Sequence, residues 1–195
     1  LKNLPFLTLG NIKNLSLDYS LLSPGINIRK CKLKNFLKIH GKKIVTDLDI
    51  FFSAYPKNLK ITITGTNGKS TTALLLFKIL LMHKKKAKLI GNIGKPMLST
   101  NKDSASTIFV IEASSYQLEY SQYFKTDYAI ILNISSDHLE RHGNMKNYTR
   151  AKFKLIINQD KNSYSYIDRN NKYLEKEVSR RNFKSKLTKV KILNF

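Results

Sequence analysis

The stretch Ile61-Thr62-Ile63-Thr64-Gly65-Thr66-Asn67-Gly68-Lys69-Ser70-Thr71-Thr72 decides how this chain reads. A β-branched run stops at a glycine, a short Gly/Asn turn follows, and Lys-Ser-Thr opens a long apolar segment of helical length. A strand that ends in a glycine loop and feeds a helix N-terminus aims several backbone N–H groups at one point, where the helix dipole adds positive potential. That point suits a phosphate. Gly65, Thr66, Asn67, Gly68, Lys69, Ser70 and Thr71 are therefore the expected contacts of a nucleoside triphosphate. Lys69 would reach the outer phosphates as a cation, and the Ser70 or Thr71 hydroxyl would ligate the accompanying Mg²⁺. The pattern is shorter than the common P-loop, because Ile63 stands where that pattern has its first glycine. A plain strand–turn–helix connection would use the same glycines for positive φ and leave Lys69 solvated. Against that, a cation in the first helical turn is unfavourable unless an anion offsets it.

Outward from this loop, strands and helices alternate, the pattern of an α/β fold with a mostly parallel sheet and flanking helices. Strands are expected at 59–64, 87–91, 107–112, 128–133, 163–167 and 187–193, and helices at 69–83, about 115–123, 145–158 and 171–180. The strands at 107–112 and 128–133 are nearly all apolar, as strands covered on both faces should be. Before the loop, residues 1 to about 56 read as short pieces: a turn at Ser23-Pro24-Gly25, a basic amphipathic segment from about Lys32 to His40, a strand at Lys43-Ile44-Val45 and a helix from Asp47 to Tyr55. Pro56-Lys57-Asn58 marks the boundary, and the stretch before it is too poor in apolar residues for a complete core.

The 195 residues carry a formal charge of +22, which raises nucleic-acid binding as a possibility. The lysines are scattered over every segment without an aromatic-interleaved basic motif, so most of the charge reads as solvated surface. No apolar run is long enough to span a bilayer, and no secretory leader is recognisable. Cys31 is the lone cysteine, which excludes a disulfide framework or a cysteine metal cluster and reads as a small core residue. A cytoplasmic, non-membrane protein is the expectation. The first residue is Leu, and the last segment reads as a strand without a successor, which suggests a fragment open at both ends.

The polar motifs sit at the carboxyl ends of the expected strands, where ligands collect in open parallel sheets. Gly91-Asn92-Ile93-Gly94 closes the second strand and is either a plain turn or an amide side chain near the phosphates. Glu112 ends an apolar strand, where it either holds Mg²⁺ or serves as an acid at the following helix N-terminus. Asp137-His138 follows the fourth strand and can supply a metal ligand or an acid/base imidazole. Lys152 lies on the inward stripe of the next helix with Tyr148, Leu155 and Ile156, and either snorkels or serves a buried anion.

Together these motifs resemble the Mur ligase family of ATP-dependent amide-bond-forming enzymes, which build the peptide stem of peptidoglycan. The resemblance rests on the loop Thr64–Thr71, on Ser23-Pro-Gly-Ile26, Thr46-Asp-Leu-Asp-Ile-Phe51 and Gly91-Asn-Ile-Gly94, on Glu112-Ala-Ser-Ser-Tyr-Gln-Leu-Glu119, on Asn133-Ile-Ser-Ser-Asp-His-Leu-Glu-Arg-His-Gly143, and on Tyr148-Thr-Arg-Ala-Lys152. The Glu112–Glu119 run points to the branch that adds D-glutamate. The resemblance covers roughly Leu22 to Ile157, and Asp168-Arg-Asn-Asn171 matches the family's nucleotide-side run only in part.

The resemblance implies a central ATP-binding domain over 57–195, truncated, preceded over 1–56 by the C-terminal part of a Rossmann-like UDP-binding domain, with a further C-terminal domain absent. It implies that Lys69 neutralises phosphate charge, that Ser70 and Glu112 hold one Mg²⁺, and that His138 and a carbamylated Lys152 hold a second. Asn92, Ser114 and Gln117 would lie along the muramoyl substrate, and Ser23, Pro24 and Gly25 near its UDP portion. The implied substrates are UDP-N-acetylmuramoyl-L-alanine and D-glutamate, joined through an acyl phosphate by an enzyme that is monomeric when intact; the fragment alone is expected to be inactive. Another Mur ligase or a folylpolyglutamate synthase-like ligase is the nearer alternative, and a basic nucleic-acid-binding P-loop protein the more distant one.

Overall fold

A computed structural model of the chain describes residues 17–99 and 103–191. The central feature is a six-stranded parallel sheet built from β3 (Lys60–Thr64), β4 (Ala87–Gly91), β5 (Ile108–Glu112), β6 (Tyr128–Ile131), β7 (Tyr164–Asp168) and β8 (Lys186–Val190), in the order β4-β5-β3-β6-β7-β8. β3 lies between β5 and β6. The chain moves to one side of β3 for β4 and β5 and to the other for β6, so the crevice beyond its carboxyl end is a switch point.

Alternation along each strand sends side chains to two covered faces. Ile63 and Val110 pack with Ala73, Leu76 and Phe77 of α3 (Lys69–Met82) on one face. Ile90, Phe109, Ile111, Ala129, Ile131 and Ile167 form the larger core on the other. That core is completed by α2 (Asp47–Ala54), α4 (Ser115–Tyr120), α6 (Met145–Ile157) and α7 (Lys172–Val178). The expected parallel α/β architecture is borne out. Strand ends at 192–193, within the last expected strand, fall outside the described residues.

Ahead of the sheet, β1 (Ser20–Leu21) and β2 (Ile44–Val45) pair in parallel, with α1 (Lys34–Ile39) between them in sequence. Leu22, Leu37 and Ile44 make a small cluster, against which half-buried Cys31 and Tyr120 pack. Leu48 and Phe51 of α2 belong instead to the main core, so this segment leans on the large sheet for its burial.

Several elements end earlier than the sequence pattern predicts, among them β8 at Val190 rather than 193 and α7 at Val178 rather than 180, and two do so for a visible reason. β6 stops at Ile131 rather than 133, because Leu132 and Asn133 turn their backbone to Thr64 and Thr66. α4 stops at Tyr120 rather than near 123, because the N–H groups of Gln122, Tyr123 and Phe124 all donate to Asp49 Oδ1, at 3.0, 2.8 and 2.9 Å. A one-turn helix, α5 (Leu139–His142), was not foreseen.

Candidate active site

The loop between β3 and α3 is shaped by two glycines and two neighbours. Gly68 has φ +79° and stands immediately before the first helical residue, Lys69, a conformation an L side chain resists. Thr66 turns its hydroxyl inward, 3.1 Å from the Tyr148 hydroxyl, and accepts from Ser135 N–H at 3.0 Å. Lys69 folds back to donate to Thr66 O at 2.7 Å. Ser70 and Thr71 lie exposed in the first turn of α3, whose N–H groups have no intrahelical acceptor.

Lys152 reaches this loop from α6. It is 1 % exposed, donates to Gly65 O at 2.8 Å and to Thr64 Oγ1 at 3.4 Å, and lies 4.9 Å from the Tyr148 ring centre. Burial, and then the neighbouring Lys69 cation, push its amine down to about 7. A buried lysine in that range exists substantially as the neutral amine at physiological pH.

Glu112 ends β5, in register with Gly91 of β4 and Ile63 of β3. Gly91 is obligatory there, because a Cβ would stand 2.3 Å from Glu112 O. Asn92 donates its amide to Glu112 Oε1 at 2.8 Å, while Oε2 is buried without a protein partner among the described residues. A buried, unshared carboxylate oxygen is a hard donor of the kind Mg²⁺ takes. Among the described residues no group of three His, Cys, Asp or Glu side chains forms a ready cage. The donor set therefore fits a cation held by one carboxylate together with nucleotide oxygens, the usual manner for Mg²⁺.

His138 has φ +52° and precedes α5. Its Nδ1 lies 3.3 Å from the Tyr116 hydroxyl and its Nε2 3.4 Å from Asp137 Oδ2, with the imidazole part-exposed. Ser114 caps α4 by accepting from Gln117 N–H at 3.2 Å, and the Gln117 amide donates to Asp47 Oδ2 at 2.7 Å.

These side chains meet. Pro24, Lys69, Asn92, Ser114, Gln117, His138 and Lys152, drawn from six separate places in the sequence, line one cleft of about 460 Å³. Glu112 is joined to it through Asn92. Ser23 and Gly25 flank Pro24, and the turn they form is tied down by Arg141, whose guanidinium donates to Pro24 O at 3.2 Å and Gly25 O at 3.3 Å.

Arg141 itself was missed by sequence reading. It is 5 % exposed, donates from Nε to Glu119 Oε2 at 3.0 Å, and stacks over Tyr116 at 4.8 Å. Ser115 and Tyr116 also line the cleft, and Ser115 Oγ lies 3.1 Å from Nε2 of fully buried His142, whose imidazole is shifted down by burial against the opposing pull of Glu119. The only sequence signal for this group was its placement within polar runs beyond β5 and β6.

Comparison with known proteins agrees with this geometry. Residues 63–192 match the Mur ligase middle domain. The chain is 38 % identical over 165 residues to the UDP-N-acetylmuramoylalanine–D-glutamate ligase of Rickettsia bellii, covering 85 % of this chain and 36 % of that protein. It is 41 % identical over 137 residues to the enzyme of that name from Wolbachia pipientis, covering 70 % and 26 %. The chain thus spans about a third of the length of the curated relatives it matches. Among solved structures, a UDP-N-acetylmuramate:L-alanyl-gamma-D-glutamyl-meso-diaminopimelate ligase from Neisseria meningitides superposes with a TM-score of 0.60 at 14 % identity, over 88 % of this chain and 58 % of that one. MurF ligase of Thermotoga maritima, solved in complex with ADP, superposes with a TM-score of 0.54 at 17 % identity, over 87 % and 49 %. With the middle-domain match extending over most of the sheet and its cleft, the chain belongs to the Mur ligase family.

Proposed function

We propose that this chain forms the ATP-binding part of a ligase that adds D-glutamate to UDP-N-acetylmuramoyl-L-alanine in peptidoglycan synthesis, acting in the cytoplasm. Residues 57–195 would be the nucleotide-binding domain, and residues 1–56 part of the domain that receives the UDP portion. The observation that carries this reading is the single cleft that gathers Lys69, Asn92, His138 and Lys152 beside the Pro24 turn.

The reaction is a two-step transfer. The substrate carboxylate attacks the γ-phosphorus of ATP, the bond to the bridging oxygen breaks, and ADP leaves with that electron pair. The amine of D-glutamate then attacks the acyl carbon and phosphate departs, the nitrogen losing a proton. Both steps bring anions together, so the protein's task is alignment and charge compensation. The first-turn N–H groups of α3 and the Lys69 ammonium would hold the β- and γ-phosphates. Bound Mg²⁺ would supply further positive charge at the phosphoryl oxygens, held by Glu112, with Ser70 and His138 as the other candidate protein contacts. Asn92 orients Glu112, and Asn92, Ser114 and Gln117 present polar groups toward the muramoyl peptide.

Lys152 would act as a carbamate. Its neutral amine, favoured by a pKa near 7, attacks CO₂ to form a C–N bond, and the nitrogen loses one proton to solvent. The product is an anionic oxygen donor where an ammonium would repel the cation. Incubation with ¹³C-bicarbonate and trapping of the adduct should place one carbamate on Lys152 and none in Lys152→Arg.

Because the chain spans about a third of its relatives' length, binding and turnover are separate readouts. Mg²⁺-ATP binding tests the cleft in this chain. Phosphate release that requires both UDP-N-acetylmuramoyl-L-alanine and D-glutamate, in protein containing this chain with the remaining length its relatives have, tests the ligase reading. Turnover with diaminopimelate, L-lysine or folate in place of these substrates would replace it. Salt-sensitive DNA binding without nucleotide affinity would remove it altogether.

A further inference from the structure

We infer that Asn133, which belongs to none of the expected contact sets, is a positioning residue that holds the phosphate loop in its binding shape. The inference rests on the nucleotide reading of the cleft.

Asn133 stands two residues past β6, which pairs with β3 in the register Thr64↔Ile131. The sheet ladder thus delivers it alongside the loop, where its own carbonyl accepts from Thr66 N–H at 2.9 Å. The side chain does more. Oδ1 accepts from Thr66 N–H at 3.2 Å and from Asn67 N–H at 2.9 Å, while Nδ2 donates to Asn67 O at 3.1 Å. The two N–H groups and one C=O of the loop fix which end of the amide is oxygen, since a flipped amide would set donor against donor. The loop packs tightly on this segment as well, since a Cβ on Gly65 would lie 3.1 Å from Leu132 Cβ and 3.3 Å from Asn133 N.

The consequence is a division of labour among backbone donors. Thr66 and Asn67 N–H are engaged by Asn133, and the donors left to face an anion are those at the start of α3. A loop without this clamp must order itself when phosphate arrives, and that ordering is subtracted from affinity. Aspartate cannot substitute. Its carboxylate can accept from both N–H groups, but it opposes Asn67 O and places a negative charge beside the phosphates.

The test is titration of this chain with a fluorescent ADP analogue and Mg²⁺, using wild type, Asn133→Ala and Asn133→Asp, with thermal unfolding of each alone and ¹⁵N–¹H spectra of the free proteins. The inference expects affinity to fall roughly tenfold in Asn133→Ala and about a hundredfold in Asn133→Asp. Midpoints should stay within a few degrees of wild type, and the Thr66 and Asn67 amide resonances should move. The deficit of Asn133→Asp should narrow as pH falls toward about 5, because a protonated carboxyl again offers one donor and one acceptor. Wild-type binding with undiminished affinity in both variants overturns the inference and leaves the nucleotide reading standing. A pH-independent deficit accompanied by a large loss of thermal stability makes Asn133 merely structural and also overturns it. Absence of binding by wild type overturns both.

Discussion

The strand-end cleft and the stretch from residue 17 to 56 are organised in opposite ways. Around the cleft, a five-residue strand, a glycine turn and a fourteen-residue helix follow one another in sequence, so local chemistry dictates local shape. The earlier stretch has two-residue strands and helices of six and eight residues, and is anchored by polar groups that reach across the sequence. Asp49 is the clearest case. It is 2 % exposed, and beyond the three N–H groups at 122–124 its Oδ1 accepts from Ser121 Oγ at 2.8 Å and its Oδ2 from Thr46 N–H at 2.9 Å. Arg141 is the second, clamping Pro24 and Gly25 against α5. A segment too small to bury its own core can still present a turn to a cleft if buried charges fix it there.

That contrast breaks most sharply at Asp49. Asp49→Ala leaves six donors without their acceptor, the Thr46 hydroxyl among them, in a site closed to water, and should cost about 4 kcal/mol, measured by urea unfolding. Asp49→Asn keeps one acceptor oxygen and should lose less. A cost below about 1 kcal/mol for Asp49→Ala would mean the anchor is dispensable. Arg141→Met comes next, at about 2 kcal/mol, because it takes the Nε donor from the part-buried Glu119 carboxylate, which keeps Arg29 at 3.7 Å, and frees two turn carbonyls. Its signature is local: hydrogen exchange should quicken at 23–29 and not at 66–71. Arg141→Lys should restore little, since one ammonium cannot span Glu119 and both carbonyls in the same plane.

The same contrast explains what was legible in the sequence. The phosphate loop, the apolar strands and the polar runs beyond them could be read because each is a contiguous pattern with its own physical meaning. Lys152 could be placed inward because Tyr148, Leu155 and Ile156 share its stripe, and all four are buried. What could not be read depends on partners about seventy or more residues away. Nothing near Asp49 announces that it will stop a helix at Tyr120, and nothing near Asn133 announces that its amide will clasp Asn67. Gln117 belongs here too, since its Nε2 is engaged by Asp47 from the earlier stretch while its Oε1 closes the capping box with Ser114. Pattern shows which residues are polar at a strand end; only the assembled sheet shows whom they face.

The smallest effect per step, and the one that sharpens the cleft's side of the comparison, is the titration of Lys152. Its folded value of about 7 lies below the 10.5 of an unperturbed lysine. Below pH 7 the amine is charged in both folded and unfolded chains, and the cost of burying that charge is felt in full. Between about 7 and 10.5 the unfolded chain holds one more proton than the folded one, so stability rises with pH, by at most about 1.4 kcal/mol per unit. Lys152→Met removes the titration, and its stability relative to wild type should therefore be most favourable at pH 6 and decline steadily toward pH 10. Urea unfolding of both proteins at four pH values across that range measures the slope. Parallel curves would mean the amine is not held in a dry site, and the chemical reason for a neutral, CO₂-reactive lysine in this cleft would be gone.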